Sequence, residues 1–188
     1  VAPDKENDDP LKRLDFDDND MALVKANLHT FDHDERLLWV LLASTAMRRS
    51  EAWDITEEIR QSGIRGATIG SKTPTSERDI PFPDEVLPYL PSRITGCLFH
   101  DRDPIRGPIN VGKRLMRRIR ELGIQDERKV LHSLRHRGIT RLREVKINGH
   151  GIDSKVLLAI VGHEERTVHD RYGKMPLATT KPWIDLIY

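Results

Sequence analysis

Behind its first twenty residues the chain sets its apolar positions mostly at helical spacing, interrupted once by strand-like alternation. Leu37, Leu38, Leu41 and Leu42 recur on one helical face behind Asp32 and Asp34, which predicts a helix from Asp34, and a second short helix follows over Ser50 to Ile55. The runs Ile64 to Ile69 and Arg78 to Phe82 alternate instead, and the Gly/Ser/Pro-rich stretch between them predicts a β-hairpin with Lys72 near its tip. Beyond it the pattern predicts helices over Asp84 to Leu90, Ile109 to Leu122, His132 to Val145 and Ser154 to Val161, the last with Ser154 as N-cap, and a short helix over Thr167 to Tyr172. The fold class is α+β, mainly α-helical with a small antiparallel sheet.

Composition narrows this picture. The 188 residues are 37% hydrophobic and 32% charged, which suits one domain with a core and a large polar surface. No run approaches the roughly 20 apolar residues of a membrane span, and the start at Val1 has neither the basic nor the apolar part of a leader peptide. A start without Met also predicts a chain processed or cut from something longer. The single cysteine, Cys97, excludes an intrachain disulfide and a cysteine-based zinc knuckle, so a reducing, cytoplasmic setting is expected.

The net charge of +1 conceals a division. Asp4, Glu6, Asp8, Asp9, Asp15, Asp17, Asp18 and Asp20 outnumber Lys5, Lys12 and Arg13, so residues 1–20 read as an acidic, extended arm or linker, and the body behind them is basic. Lys113, Arg114, Arg117, Arg118, Arg120, Arg135, Arg137, Arg141 and Arg143 form a footprint suited to a polyanion, or a solvated helix face if charge is the only clue.

Five separated motifs carry candidate chemistry: Arg48 with Glu51 three residues on; Lys72 ahead of Ser76, Arg78, Ile80 and Pro81; His132-Ser133-Leu134-Arg135-His136; Gly162-His163; and Arg171-Tyr172-Gly173. His132 and Arg135 lie at i and i+3, where a helix sets them on one face toward one ligand group. Taken singly, each motif has an ordinary structural reading.

In order and spacing together, over Leu37 to Gly173, they resemble the catalytic domain of the tyrosine recombinase (phage integrase) family. The resemblance implies that family's catalytic-domain fold and a site-specific recombinase that cuts and rejoins double-stranded DNA through a 3′-phosphotyrosyl link, with no metal or other cofactor. Tyr172 would be the nucleophile; Arg48 and Arg135 would clamp the non-bridging oxygens; Lys72 would be the general acid for the 5′-oxygen; His132 would accept the tyrosine proton; His163 would hydrogen-bond the phosphate. The chemistry is coherent, because a phenol with a pKa near 10 is only about 0.1% ionised at pH 7 and needs a base or a strongly positive field. A planar guanidinium fork suits two phosphate oxygens better than an ammonium. No His/Asp/Glu cluster with metal-ligand spacing is visible along the chain, and the acidic arm lacks the glycine and terminal glutamate of a calcium loop.

Neighbouring residues take other roles. Glu51 is expected to be the buried partner that orients the first motif, Tyr89 and Tyr188 are competing phenols at the wrong spacing, and His136, His150 and His169 are structural or DNA-adjacent. Trp39, Trp53 and Trp183 read as core or docking anchors. Ala46 stands where the family usually has glycine before the first-motif arginine, and the stretch 146–153 is slightly extended. Because the family usually carries a helical DNA-binding domain ahead of the catalytic one, residues 1–20 would belong to an interdomain linker, 21–174 to the catalytic domain and 175–188 to a tail. Trp183, Leu186 and Ile187 in that tail are expected to pack on the body in cis or on a neighbouring protomer in trans. Expected partners are an attachment-site DNA duplex, a homotetramer on it and accessory DNA-bending proteins, in the cytoplasm or nucleoid and with no membrane. Two alternatives stand beside this reading: a DNA relaxer resembling type IB topoisomerases, and a DNA-binding module without catalysis.

Overall fold

The computed structural model describes residues 13–70, 76–162 and 174–188. Helix α2 (His33–Thr45) is the centre, with every residue from Leu37 to Thr45 buried. It starts on a reciprocal cap, the Asp32 carboxylate accepting from the Glu35 N–H at 2.8 Å and Glu35 accepting from the Asp32 N–H at 3.2 Å. Against it pack α3 (Arg49–Trp53), α4 (Arg106–Glu121) and α5 (Leu131–Glu144). On α4, Val111, Leu115 and Ile119 recur every fourth residue and are buried, so the basic residues between them face outward or flank the core.

The expected hairpin is present and has a third strand. Strand β2 (Ile64–Ile69) pairs antiparallel with β3 (Arg78–Pro81), Thr68 opposite Asp79, and on its other edge with β1 (Ile59–Gln61). The β1–β2 connection is the two-residue turn Ser62-Gly63, with φ of 51° and 81°, the positive pair that a tight hairpin turn needs. A second, two-stranded ribbon, β4 (Lys146–Ile147) with β5 (His150–Gly151), accounts for the slightly extended stretch before α6 (Ser154–Val161). Asp153, not Ser154, caps α6, accepting from the Lys155 N–H at 2.8 Å.

Three further expectations are corrected. Residues 13–20 are not simply a solvated arm: Phe16 is 1% exposed, packs edge-on against Trp39 at 5.5 Å, and precedes helix α1 (Asp18–Asn27). The aspartates read as arm charge are its cap, Asp17 and Asp20 bonding each other's backbone N–H and both meeting Lys129. Second, Asp84 to Leu90 is no α-helix but a single 3-10 turn at Leu87–Tyr89, since Pro83, Pro88 and Pro91 deny it the amide donors and backbone freedom of a longer one. Third, α4 begins at Arg106, ahead of Ile109, where Asp103 accepts from the Ile105 and Arg106 N–H groups. The tail takes the first of its two expected arrangements: the chain after Pro176 forms α7 (Leu177–Ile184), packed on β2, β3 and α6, with Leu177, Ile184 and Ile187 buried in cis. Trp183 is half-buried in the same contact and Leu186 is exposed. The expected helix at Thr167 to Tyr172 lies outside the described residues. Among the described residues no helix is long and apolar enough to cross a membrane.

Candidate functional site

The site is built where three chain segments end side by side. Helix α2 stops at Ala46, which takes a left-handed conformation with φ of 55°. That conformation costs an L-residue about 1–2 kcal/mol and glycine almost nothing. The turn delivers Arg48 to the start of α3, where Glu51 Oε2 accepts from the Arg48 N–H at 2.7 Å and Oε1 accepts from Arg48 Nη1 at 2.9 Å. Glu51 is thus the buried orienting partner expected of it, at 6% side-chain exposure against 43% for Arg48.

Glu51 has a second and more deeply buried partner. Arg78, at the start of β3, donates from Nη1 and Nη2 to the two Glu51 oxygens at 3.0 Å each, a bidentate fork. Its Nε donates to the Ile160 carbonyl at 2.8 Å and its Nη1 also to the Ser76 carbonyl at 3.1 Å. One side chain therefore ties the first motif to the base of the hairpin and to the end of α6. Gly162 sits against it in a left-handed conformation, φ 66°, and an added Cβ would lie 2.7 Å from Arg78 Nη1. Arg78 lies within one of the sequence motifs but was assigned no role there; the available signal was a charged residue inside a run that reads as a strand, whose whole length the fold buries.

Arg135 comes from α5 and is 4% exposed. Its Nη1 donates to the Ala46 carbonyl at 2.6 Å and its Nη2 to the Val161 carbonyl at 2.7 Å, so the ends of α2 and α6 fix its plane. The α5 backbone reaches Ala46 closely because position 138 is glycine; an added Cβ there would stand 2.7 Å from the Ala46 Cβ. Burial, then the positive charges of Arg48 and Arg78, bring the Arg135 guanidinium down to about 10, with Glu51 opposing, so it stays charged at neutral pH. For Glu51, burial raises the pKa, but the hydrogen bonds and charge of Arg78 and the bonds from Arg48 outweigh it and leave it below the usual carboxylate value.

His132 lies one turn before Arg135 on α5. Partial burial, followed by His136, Arg13, Arg135 and Arg48, lowers its pKa, so the imidazole is neutral at pH 7 and able to accept a proton. His132 and Arg135 also line a cavity of about 510 Å³ with Arg13, Arg49, Lys113 and Met47. The cations that line this cavity, Arg13, Arg49, Lys113 and Arg135, make a positive setting suited to an anion. The Tyr188 hydroxyl accepts from Trp39 Nε1 at 3.2 Å, and burial pushes its pKa up to about 12, away from the phenolate form.

Of the six residues singled out in the sequence, the fold brings Arg48, His132 and Arg135 together, whereas Lys72, His163 and Tyr172 lie outside the described residues. Gly70 and Ser76, which flank the Lys72 segment, and Gly162, which precedes His163, all adjoin Arg78. Comparison with family models, with curated proteins and with solved structures finds no match to this chain.

Proposed function

We propose that the chain is the catalytic domain of a tyrosine site-specific DNA recombinase, breaking and rejoining DNA strands in the integration or excision of a mobile element. The observation that carries the reading is the convergence of Arg48 and Arg135, from motifs far apart in sequence, around buried Glu51, with a neutral His132 one helical turn away.

In this reading Arg48 and Arg135 bind the two non-bridging oxygens of the scissile phosphate, where negative charge builds up during attack. A preorganised donor of this kind is worth about 10²-fold or more in rate. His132 takes the proton of the Tyr172 hydroxyl as that oxygen bonds to phosphorus. The bond from phosphorus to the 5′-oxygen breaks, Lys72 supplies the proton that oxygen needs, and His163 hydrogen-bonds the phosphate. The 3′ end is left on Tyr172 as a phosphodiester, and attack by a 5′-hydroxyl reverses the step, so no external energy source enters. The basic flank of α4 and the cations of the cavity hold the duplex backbone by phosphate neutralisation, in a homotetramer on the recombination site.

The test is strand cleavage on a library of nicked duplexes, resolved on a denaturing gel. A 5′-hydroxyl product and a protein-linked 3′ product are expected from the wild type and from neither Arg48→Ala nor Arg135→Ala, with Arg48→Ala still folded. A wild-type chain that shifts the same DNA without cutting it would favour the binding module; relaxation of supercoiled DNA at any sequence would favour the relaxer.

A further inference from the structure

His33, Asp34 and His100 stand at the other end of α2 from Arg48, about 18 Å away by the rise of that helix. His33 and Asp34 belong to the first turn of α2, and His100 to the loop that leads into α4. His100 is far from the adjacent pair His33-Asp34 in sequence and comes to it only in the fold, where one ligand atom from each of the three lies within 4.8 Å of the others.

We infer that these three side chains form a site for a divalent transition ion of the zinc class, distinct from the recombinase chemistry. Three features favour it. His33 Nε2 lies 3.2 Å from the Leu98 carbonyl, which only accepts, so Nε2 carries the hydrogen and Nδ1 presents its lone pair. An imidazole whose second nitrogen is held by a backbone carbonyl is the usual outer support of a metal-binding histidine. Asp34 is buried, and its two oxygens accept from the backbone N–H groups of His100 at 2.8 Å and Asp101 at 3.0 Å, which orients the carboxylate and leaves lone pairs for an ion. His100, with Nδ1 3.9 Å from Asp34 Oδ1, stacks on His33 at 4.2 Å between ring centroids and is 78% exposed in its side chain, free to turn from the stack toward the ion. Two imidazoles and a carboxylate match zinc and its neighbours, not the all-oxygen sets of magnesium or calcium. Asp32 and Glu35 on the same turn offset the positive end of the α2 dipole. The ion clips the loop ahead of α4 to α2, so its effect is on the placement of the basic helix.

The test is titration of the purified full chain with Zn²⁺ by calorimetry, and with Co²⁺ by visible absorption. One equivalent is expected to bind, and Zn²⁺ is expected to raise the melting temperature. His33→Ala and His100→Ala, both exposed and outside the core, are expected to weaken Zn²⁺ at least about ten-fold. His136→Ala, which breaks the second histidine pair among the described residues, with ring centroids at 4.8 Å from His132, is expected to leave it unchanged. No binding to the wild type, binding that survives both His33→Ala and His100→Ala, or binding lost in His136→Ala would overturn the assignment. None of these outcomes depends on DNA cleavage, so the ion site and the recombinase reading stand or fall separately.

Discussion

Glu51→Gln is the substitution to which the site should respond most. The carboxylate is the counterion of Arg78, which is 3% exposed, and it also faces Arg48 and Arg135. Removing one member of a buried pair costs about 3–5 kcal/mol, because the other charge is left without compensation. The lower end applies here, since the amide keeps one oxygen to accept a guanidinium N–H, and the half-exposed Arg48 contributes little through solvent-screened charge. About 3 kcal/mol in a chain of this size is a fall in Tm of roughly 6–12 °C. The pH dependence gives a second handle. The folded pKa of Glu51 lies below its ordinary value of 4.5, so its contribution is complete above 4.5 and is lost as pH falls through the lower folded value. Urea unfolding of both proteins from pH 7 down to pH 3 should therefore show a gap of about 3 kcal/mol that narrows only in the acid range. A gap under about 1 kcal/mol at pH 7, or one that persists unchanged at pH 3, would refute the reasoning.

Three other outcomes are expected. Gly138→Ala should lose about 1–3 kcal/mol by urea unfolding, because the new methyl meets the Ala46 Cβ at 2.7 Å, and Ala46→Gly in the same chain should recover part of that loss non-additively. Ile187→Ala should cost about 2–5 kcal/mol and Leu186→Ala within about 0.5 kcal/mol, the first being fully buried and the second 39% exposed, as the cis packing of the tail requires. With His132 as proton acceptor and its pKa depressed, the cleavage rate should rise with pH along a limb whose midpoint lies below 6.5, and His132→Ala should remove that limb.

The periodic parts of the fold were legible in the sequence. Helix α2 announced itself by four leucines behind a capping aspartate, α5 by its spacing, and the β2–β3 hairpin by alternation around a turn. Helix α1 was hidden because its acidic first turn looks like solvated chain, and only two of its residues, Met21 and Val24, are buried. Strand β1 is three residues long, too short for alternation to register, although Ser62-Gly63 was a turn signal. The tail helix α7 begins just after Pro176 and carries Pro182 inside it, so proline chemistry argued against a helix that packing against the sheet sustains. At the site, the resemblance singled out Arg48, Glu51, His132 and Arg135, which the fold sets near one another. Arg78 and the His33–Asp34–His100 cluster depend on contacts between distant segments, which no single local pattern encodes.

The most direct test of the account is a peptide mass spectrum of the protein after incubation with nicked duplex DNA, wild type beside Tyr172→Phe. The account predicts a nucleotide adduct on the peptide containing Tyr172, absent from the variant, while both proteins bind the same DNA, because the substitution removes one hydroxyl and no cation. An adduct on any other residue, or cleavage that persists in Tyr172→Phe, would contradict it.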